Sequence, residues 1–276
     1  MSGLLYVVAT PIGNLEDMTF RAVRVLKEVD AIACEDTRQT RKLLEHFAIR
    51  TPLVSYHEHN ERERAPELVA RMQAGESIAL VSDAGTPLVS DPGYRLVSAA
   101  IAAGIRVIPI PGVSAPVAAL SAAGLPTHGF RFGGFLPAKT RARRALLATL
   151  CTRAETVIFF ETPHRLLDTL ADMEQILGSA TPVVVTRELT KLHEEFLRGT
   201  VAEVRARLAQ RGSLKGEVTL LVAPSAAEPA AAVDAAQYGA EVDALMGQGM
   251  PRMDAIKEVA RRHGIGKREL YRHLAG

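Results

Sequence analysis

Two short runs in this chain set acids beside bases at what read as strand exits: Glu35-Asp36-Thr37-Arg38 and Phe159-Phe160-Glu161-Thr162-Pro163-His164-Arg165. A carboxylate in such a place can accept or orient a proton, and an arginine can hold a neighbouring phosphate. Glu35, Asp36 and Arg38 are therefore the first candidates for catalysis, with Glu161, His164 and Arg165 the second. Loops at strand exits commonly carry function. Helix capping and ion pairing at a domain interface call for the same residue types, and spacing alone does not choose among these readings.

Three further segments, punctuated by proline and glycine, also leave apolar runs: Val7–Asn14 (VVATPIGN), Val81–Gly93 (VSDAGTPLVSDPG) and Ile108–Ala115 (IPIPGVSA). Three bends at strand exits suggest one crevice lined by backbone, suited to a small cofactor held through main-chain groups. Pro11 restricts the first bend and Gly13 relieves crowding there. In the second, Asp83, Gly85, Thr86 and Pro87 offer an acid, a flexible glycine and a hydroxyl, able to hold a ribose or an amino-acid carboxylate through amides. In the third, Ser114 is placed to cap a helix that opens at Ala115.

Several chemistries lack their signatures. No Gly-x-Gly-x-x-Gly follows Val8 and no Gly-Lys-Ser/Thr phosphate loop occurs. No Gly-x-Ser-x-Gly elbow is present. His57 and His59 flank Glu58 without a third ligand at a suitable spacing, so no metal site is expected.

Basic residues concentrate in two places. Arg131, Lys139, Arg141, Arg143, Arg144 and Arg153 form a run with no acid between 131 and 154, which suits phosphate contact better than an interior helix face. From Arg252 to Gly276 seven Lys/Arg face three acids, a local excess of +4 against +2 for the whole chain. Arg261, Arg262, Lys267 and Arg268 are the proposed nucleic-acid contacts there. A solvated helical cap or a dimerisation element accounts for the same segment.

The elements that must position these residues alternate. Strands are expected at Leu4–Ala9, Asp30–Cys34, Pro52–Tyr56, Ser77–Val81 and Arg106–Ile110. Helices are expected from Leu15 to about Glu28, with Asn14 as cap and Asp17 in the capping-box position, then at Thr37–His46, Pro66–Ala74, within Asp91–Ala103 and at Ser114–Ala123. This is an α/β pattern with a mainly parallel sheet. After a break at Gly124–Lys139 a second α/β unit follows, with helices at Arg141–Leu150 and Pro163–Leu177 and strands at Thr156–Phe160, Pro182–Glu188, Arg198–Glu203 and Glu217–Pro224. The expected organisation is an N-terminal domain over 1–123, a second domain over 124–223, an Ala/Pro-rich linker over 224–239 and a helix-turn-helix-like module over 240–276.

With 276 residues, 47% hydrophobic and 23% charged, the chain has a globular composition and enough length for two cores. Two distant cysteines, Cys34 and Cys151, make no disulfide framework and favour a reducing compartment. The start lacks a signal-peptide pattern and no apolar run approaches a membrane span, so a cytoplasmic protein is expected.

The quoted motifs, together with LYVVATPIGNLEDMTFRAVRVLKEVDAIACEDTRQTRKLL from Leu5, ALVSDAGTPLVSDPGYRLV from Ala79, VIPIPGVSAPVAALSAAGLP from Val107 and KEVARRHGIGKRELYRHL near the end, carry a resemblance. The chain resembles the bacterial ribosomal RNA small-subunit methyltransferase I family of the tetrapyrrole-methylase-like superfamily. That resemblance implies two α/β domains with S-adenosylmethionine in the cleft between them, a small helical C-terminal module and a homodimer. It also implies methyl transfer to the ribose 2′-hydroxyl of a cytidine in small-subunit ribosomal RNA, free or within an assembling subunit. Carried over by position, the cofactor residues are Pro11, Asp83, Gly85, Thr86, Pro87, Ser114, Ala115 and Phe160. The rival readings are methylation of a tetrapyrrole or other small molecule, and a non-catalytic RNA- or ribosome-binding protein.

Overall fold

The computed structural model describes residues 2–225, 235–263, 270, 271 and 274. It divides into two compact units, Met1–Pro224 and Ser225–Gly276.

The first sheet of the larger unit comprises β1 (Leu4–Val8), β2 (Ala31–Cys34), β3 (Leu53–Ser55), β4 (Ile78–Leu80) and β5 (Arg106–Ile110), in the order β3-β2-β4-β1-β5. Every pairing in it is parallel, as alternation of strand and helix demands. Helices α1 (Phe20–Glu28) and α2 (Thr37–His46) cover one face, where Val25, Leu26 and Leu44 pack with Ile32 and Cys34. Helices α3 (Glu61–Gln73) and α4 (Tyr94–Ala102) cover the other, where Leu68, Met72 and Leu96 pack with Ile78 and Leu80.

The second sheet comprises β6 (Phe130–Phe135), β7 (Thr156–Glu161), β8 (Pro182–Arg187), β9 (Glu195–Thr200) and β10 (Val218–Val222), ordered β6-β7-β10-β8-β9. Only β6 and β7 run parallel; the other pairs are antiparallel. Helices α6 (Thr140–Ala148), α7 (Pro163–Leu177) and α8 (Val201–Ala209) supply Leu147, Leu170, Met173, Val204 and Leu208 to its core. Its opposite face receives α5 (Ala115–Ala123), whose Ala119 and Leu120 meet Ile158, Val184 and Leu221. The sequence of α5, APVAALSAA, is apolar nearly all round, but only the face bearing Pro116, Ala119, Leu120 and Ala123 is buried, while Val117, Ser121 and Ala122 stay exposed.

Four local expectations differ from the structure. The first helix begins at Phe20, where the Thr19 hydroxyl accepts the Ala22 amide at 3.1 Å. Asn14 caps only a single 3₁₀ turn, Leu15–Asp17, because Met18 returns to extended backbone. Helix α3 starts at Glu61, five residues before the proline, and Pro66 lies within it. The break at Gly124–Lys139 contains β6, whose Gly133 leaves room for the Phe159 ring. The strand expected over Arg198–Glu203 ends at Thr200, which opens α8 by a reciprocal capping box with Glu203.

In the smaller unit, α9 (Ala235–Gly247) begins inside the stretch expected as linker. With α10 (Arg252–His263) it buries Val242, Leu245, Ile256 and Val259, joined by Leu270. The expected turn at Gly264-Ile265-Gly266 lies outside the described residues.

Candidate active site

The three bends meet. Thr10 and Gly85 exchange backbone hydrogen bonds of 2.8 and 3.0 Å, joining the exits of β1 and β4. The Thr10 hydroxyl also donates to the Ser82 carbonyl at 3.1 Å. The Thr86 hydroxyl donates to the Val113 carbonyl at 2.9 Å, tying the second bend to the third. Gly85 holds φ +80°, and a side chain there would press on Ile12. Carboxyl ends of adjacent parallel strands are the common place for a ligand crevice in such a sheet.

A cavity of about 330 Å³ opens there, within the usual size of small-ligand pockets. Ile12, Ala84–Thr86, Val89–Asp91 and Ser114–Pro116 line it from the first sheet's bends. Phe135, Phe160–Pro163 and Gly216–Thr219 line it from the second sheet. Five of the expected cofactor residues are on this wall: Gly85, Thr86, Ser114, Ala115 and Phe160. Phe160 packs edge-on against Phe132 and Phe135, at 4.9 and 5.4 Å between ring centres. Pro11, Asp83 and Pro87 are off the wall; Pro87 is buried behind it and Asp83 instead accepts the Asp36 amide at 3.0 Å.

Asp91, Glu217 and Phe135 on the wall escaped the sequence reading. The second half of the Val81–Gly93 motif carried the signal for Asp91, since Ser90-Asp91-Pro92-Gly93 repeats the acid-plus-turn pattern of Asp83–Pro87. Phe135 lies in β6, within the stretch whose glycines and prolines interrupt the strand pattern.

The acids around the cavity have distinct environments. Asp91, half-buried, also lines an adjoining cavity of about 390 Å³ with Glu35, Glu58, Glu61, Ser90 and Tyr94. Burial, then Glu35 and Asp83, push the Asp91 carboxyl up to about 6 against a hydrogen bond from Ser82. Glu35 is raised for the same reasons, burial first and Asp83 second. Asp36 is held down at about 2 by its bonds with Arg38. Both its oxygens engage the Arg38 guanidinium, and it accepts the Arg38 amide at 2.8 Å as the cap of α2. Of the first cluster, Glu35 lines the second of these cavities, and Asp36 and Arg38 line neither.

The second cluster is a clamp. Glu161 is 2% exposed and accepts from the Thr162 amide, the Thr169 hydroxyl and the Arg165 guanidinium at 2.7 to 3.1 Å. Arg165 also donates to the Leu136 carbonyl at 2.5 Å, joining β6, β7 and α7. His164 is exposed, 3.3 Å from the Thr162 hydroxyl. Among the described residues, no three His, Cys, Asp or Glu side chains gather as metal ligands.

A family model described as Tetrapyrrole (Corrin/Porphyrin) Methylases matches residues 4–205. Relatives named Ribosomal RNA small subunit methyltransferase I match almost throughout. The one from Halalkalibacterium halodurans is 52% identical, covering 98% of this chain and 93% of its own. The one from Synechocystis is 49% identical, covering 98% and 96%. The chain belongs to the ribosomal RNA small subunit methyltransferase I family. Among solved structures, uroporphyrin-III-C-methyltransferase from Thermus thermophilus matches with TM-score 0.56 and 24% identity, covering 81% of this chain and 95% of that one. A structure of uroporphyrin-III C-methyltransferase from that organism, complexed with S-adenosylhomocysteine, matches with TM-score 0.55 and 19% identity over 79% and 97%. These two share the fold.

Of the basic residues that resemblance to the family set against RNA, Arg141 and Arg144 are exposed on α6. Arg143 is a correction. It is 4% exposed and donates to Asp172 of α7 at 2.7 Å, with Arg144 on the other Asp172 oxygen at 2.6 Å. Helix packing turns this side chain inward, so it holds α6 to α7 and has no surface for a phosphate. Arg261 and Arg262 are exposed on α10 and pair with Glu258 at 2.8 and 3.1 Å. Lys267 and Arg268 lie outside the described residues.

Proposed function

We propose that this chain transfers a methyl group from S-adenosylmethionine to the ribose 2′-hydroxyl of a cytidine in small-subunit ribosomal RNA. Its family supports the coarser statement: the chain is an S-adenosylmethionine-dependent methyltransferase of ribosomal RNA. The observation that carries the reading is the convergence of three bends and the Phe160–Pro163 loop on one cavity.

The cavity suits that donor chemically. No Lys or Arg lines it, whereas Asp91, Glu161 and Glu217 do, so its field favours a cation. Ile12, Val89, Phe135 and Phe160 give apolar and aromatic wall for a flat heterocycle. The bound donor supplies a methyl carbon made electrophilic by a sulfonium. The residues of the chain do the rest: the bend at Ala84–Thr86 presents backbone groups, the Thr86–Val113 bond fixes its shape, and the second sheet supplies the opposite wall. Alignment of oxygen, carbon and sulfur in a fixed site lowers the barrier by several kcal/mol, within the range of roughly 7–11 kcal/mol available to positioning.

Arg141, Arg144, Arg261 and Arg262 are assigned to the RNA backbone, which a protein reaches more readily than the narrow major groove of an RNA duplex. Lys267 and Arg268 belong to the same assignment. The reading extends to a homodimer acting in the cytoplasm on the assembling small subunit. No described helix is long and apolar enough to cross a membrane.

The test is incubation of purified protein and methyl-labelled S-adenosylmethionine with unmodified small subunits, followed by mapping of the labelled nucleoside. Label in a 2′-O-methylated cytidine is expected. Label on a base, or on a tetrapyrrole acceptor with none on RNA, overturns the reading.

A further inference from the structure

We propose that Asp91 is the base that takes the ribose hydroxyl proton, and that the adjoining acidic cavity is its outlet to solvent. This rests on the methyl-transfer reading above. Of the carboxylates on the main cavity wall, Asp91 alone also lines the second cavity. Glu161 is buried with its oxygens taken by Arg165, Thr162 and Thr169. Glu217 is exposed and lies 3.3 Å from the Lys191 ammonium. Asp91 has no cation within ion-pair distance among the described residues.

The backbone around it is held in an unusual shape. Leu88 and Ser90 have φ of +72° and +68°, a left-handed conformation that costs about 1–3 kcal/mol at a non-glycine residue. The chain therefore enters Asp91 through a bend enforced by the rest of the fold.

The charged side chains that line the two cavities are all acidic. Glu35 and Asp83 act directly on Asp91, and Glu58 and Glu61 stand around the second cavity, with Arg95 turned to Glu61. Glu161 and Glu217 lie across the main cavity, and no Lys or Arg lines either space. In that setting the carboxyl is raised to about 6, which makes it a stronger base than an ordinary aspartate while leaving it ionised at neutral pH.

The step balances. As the ribose oxygen bonds to the methyl carbon, its proton passes to an Asp91 oxygen. The carbon–sulfur bond breaks with its electron pair on sulfur, so one positive and one negative charge vanish together. Asp91 then returns its proton to water.

Asp91→Asn keeps the shape of the side chain and removes the base. Single-turnover methyl transfer to ribosomal RNA is expected to fall about 100-fold or more, the usual worth of a positioned base. Affinities for S-adenosylhomocysteine and for RNA should stay within about threefold of the parent. In the parent without donor, carbon-13 NMR of the Asp91 carboxyl should titrate near 6, and the rate should climb with pH through that same midpoint. A folded Asn variant losing less than about tenfold, or an Asp91 carboxyl titrating in the ordinary aspartate range, overturns the assignment. A parent that labels no RNA fails the methyl-transfer reading and removes this role with it. An active parent with an equally active Asn variant removes Asp91 alone.

Discussion

The Asp83 carboxylate accepts the Asp36 amide at 3.0 Å, bracing the bend after β4 against the turn after β2. Asp83 is off the cavity wall, yet its charge raises both Glu35 and Asp91. It thus shapes the site by holding a loop and by setting the local field.

Asp83→Ala removes that brace. Losing one such bond is worth about 0.5–1.5 kcal/mol, so affinity for S-adenosylhomocysteine should weaken roughly 2- to 10-fold. Asp83→Asn keeps an acceptor oxygen and should lose less. Calorimetric titration decides the matter, and unchanged affinity in a folded Ala variant rejects the link between brace and pocket.

Arg143 predicts a stability effect instead of an RNA effect. Arg143→Ala leaves Asp172 buried with only Arg144 beside it, at a cost of about 3 kcal/mol. Urea denaturation should show a lower midpoint with an unchanged slope. A variant as stable as the parent contradicts the inward placement.

Arg141, exposed on the same helix, behaves oppositely. Arg141→Glu should leave the melting temperature in place while lowering RNA affinity. The dependence of log affinity on log salt should become shallower by about one unit if a phosphate contact is lost. An identical salt slope in the variant places Arg141 outside the RNA interface.

Asp91 also makes stability depend on pH. Its folded carboxyl sits at about 6 against an ordinary 3.8, so the folded state binds the extra proton between those values. The stabilising contribution is complete below the unfolded value and is lost as pH rises through about 6. Asp91→Asn should therefore melt higher than the parent at pH 7.5, by about 2–4 °C for each kcal/mol gained by no longer burying a charge beside Glu35 and Asp83, with little gain at pH 4. Equal shifts at both pH values show that burial and repulsion of the charged form are not the cause.

Much of the frame was readable because it is written in local patterns. Apolar runs ending in Pro and Gly marked the exits of β1, β4 and β5, and those bends are the ones that meet. Helix α8 was not legible: the Thr200-x-x-Glu203 capping box that opens it falls inside the run Arg198–Glu203, whose residues read as a strand. Phe130–Phe135 was missed because its two glycines break the alternation that identifies a strand, and one of them exists to admit the Phe159 ring from the neighbouring strand.

By itself, the sequence determined the alternation of strands and helices, the three bends, the basic stretches and the family. Those properties depend on neighbours a few residues apart, where propensity and turn chemistry act. The tertiary structure decided which carboxylates share a field and which arginine turns inward. Asp36 meets Asp83 across 47 residues of chain and Arg143 meets Asp172 across 29. Burial and charge depend on distance in space, and strand order sets that distance for the carboxylates as helix packing does for the arginine.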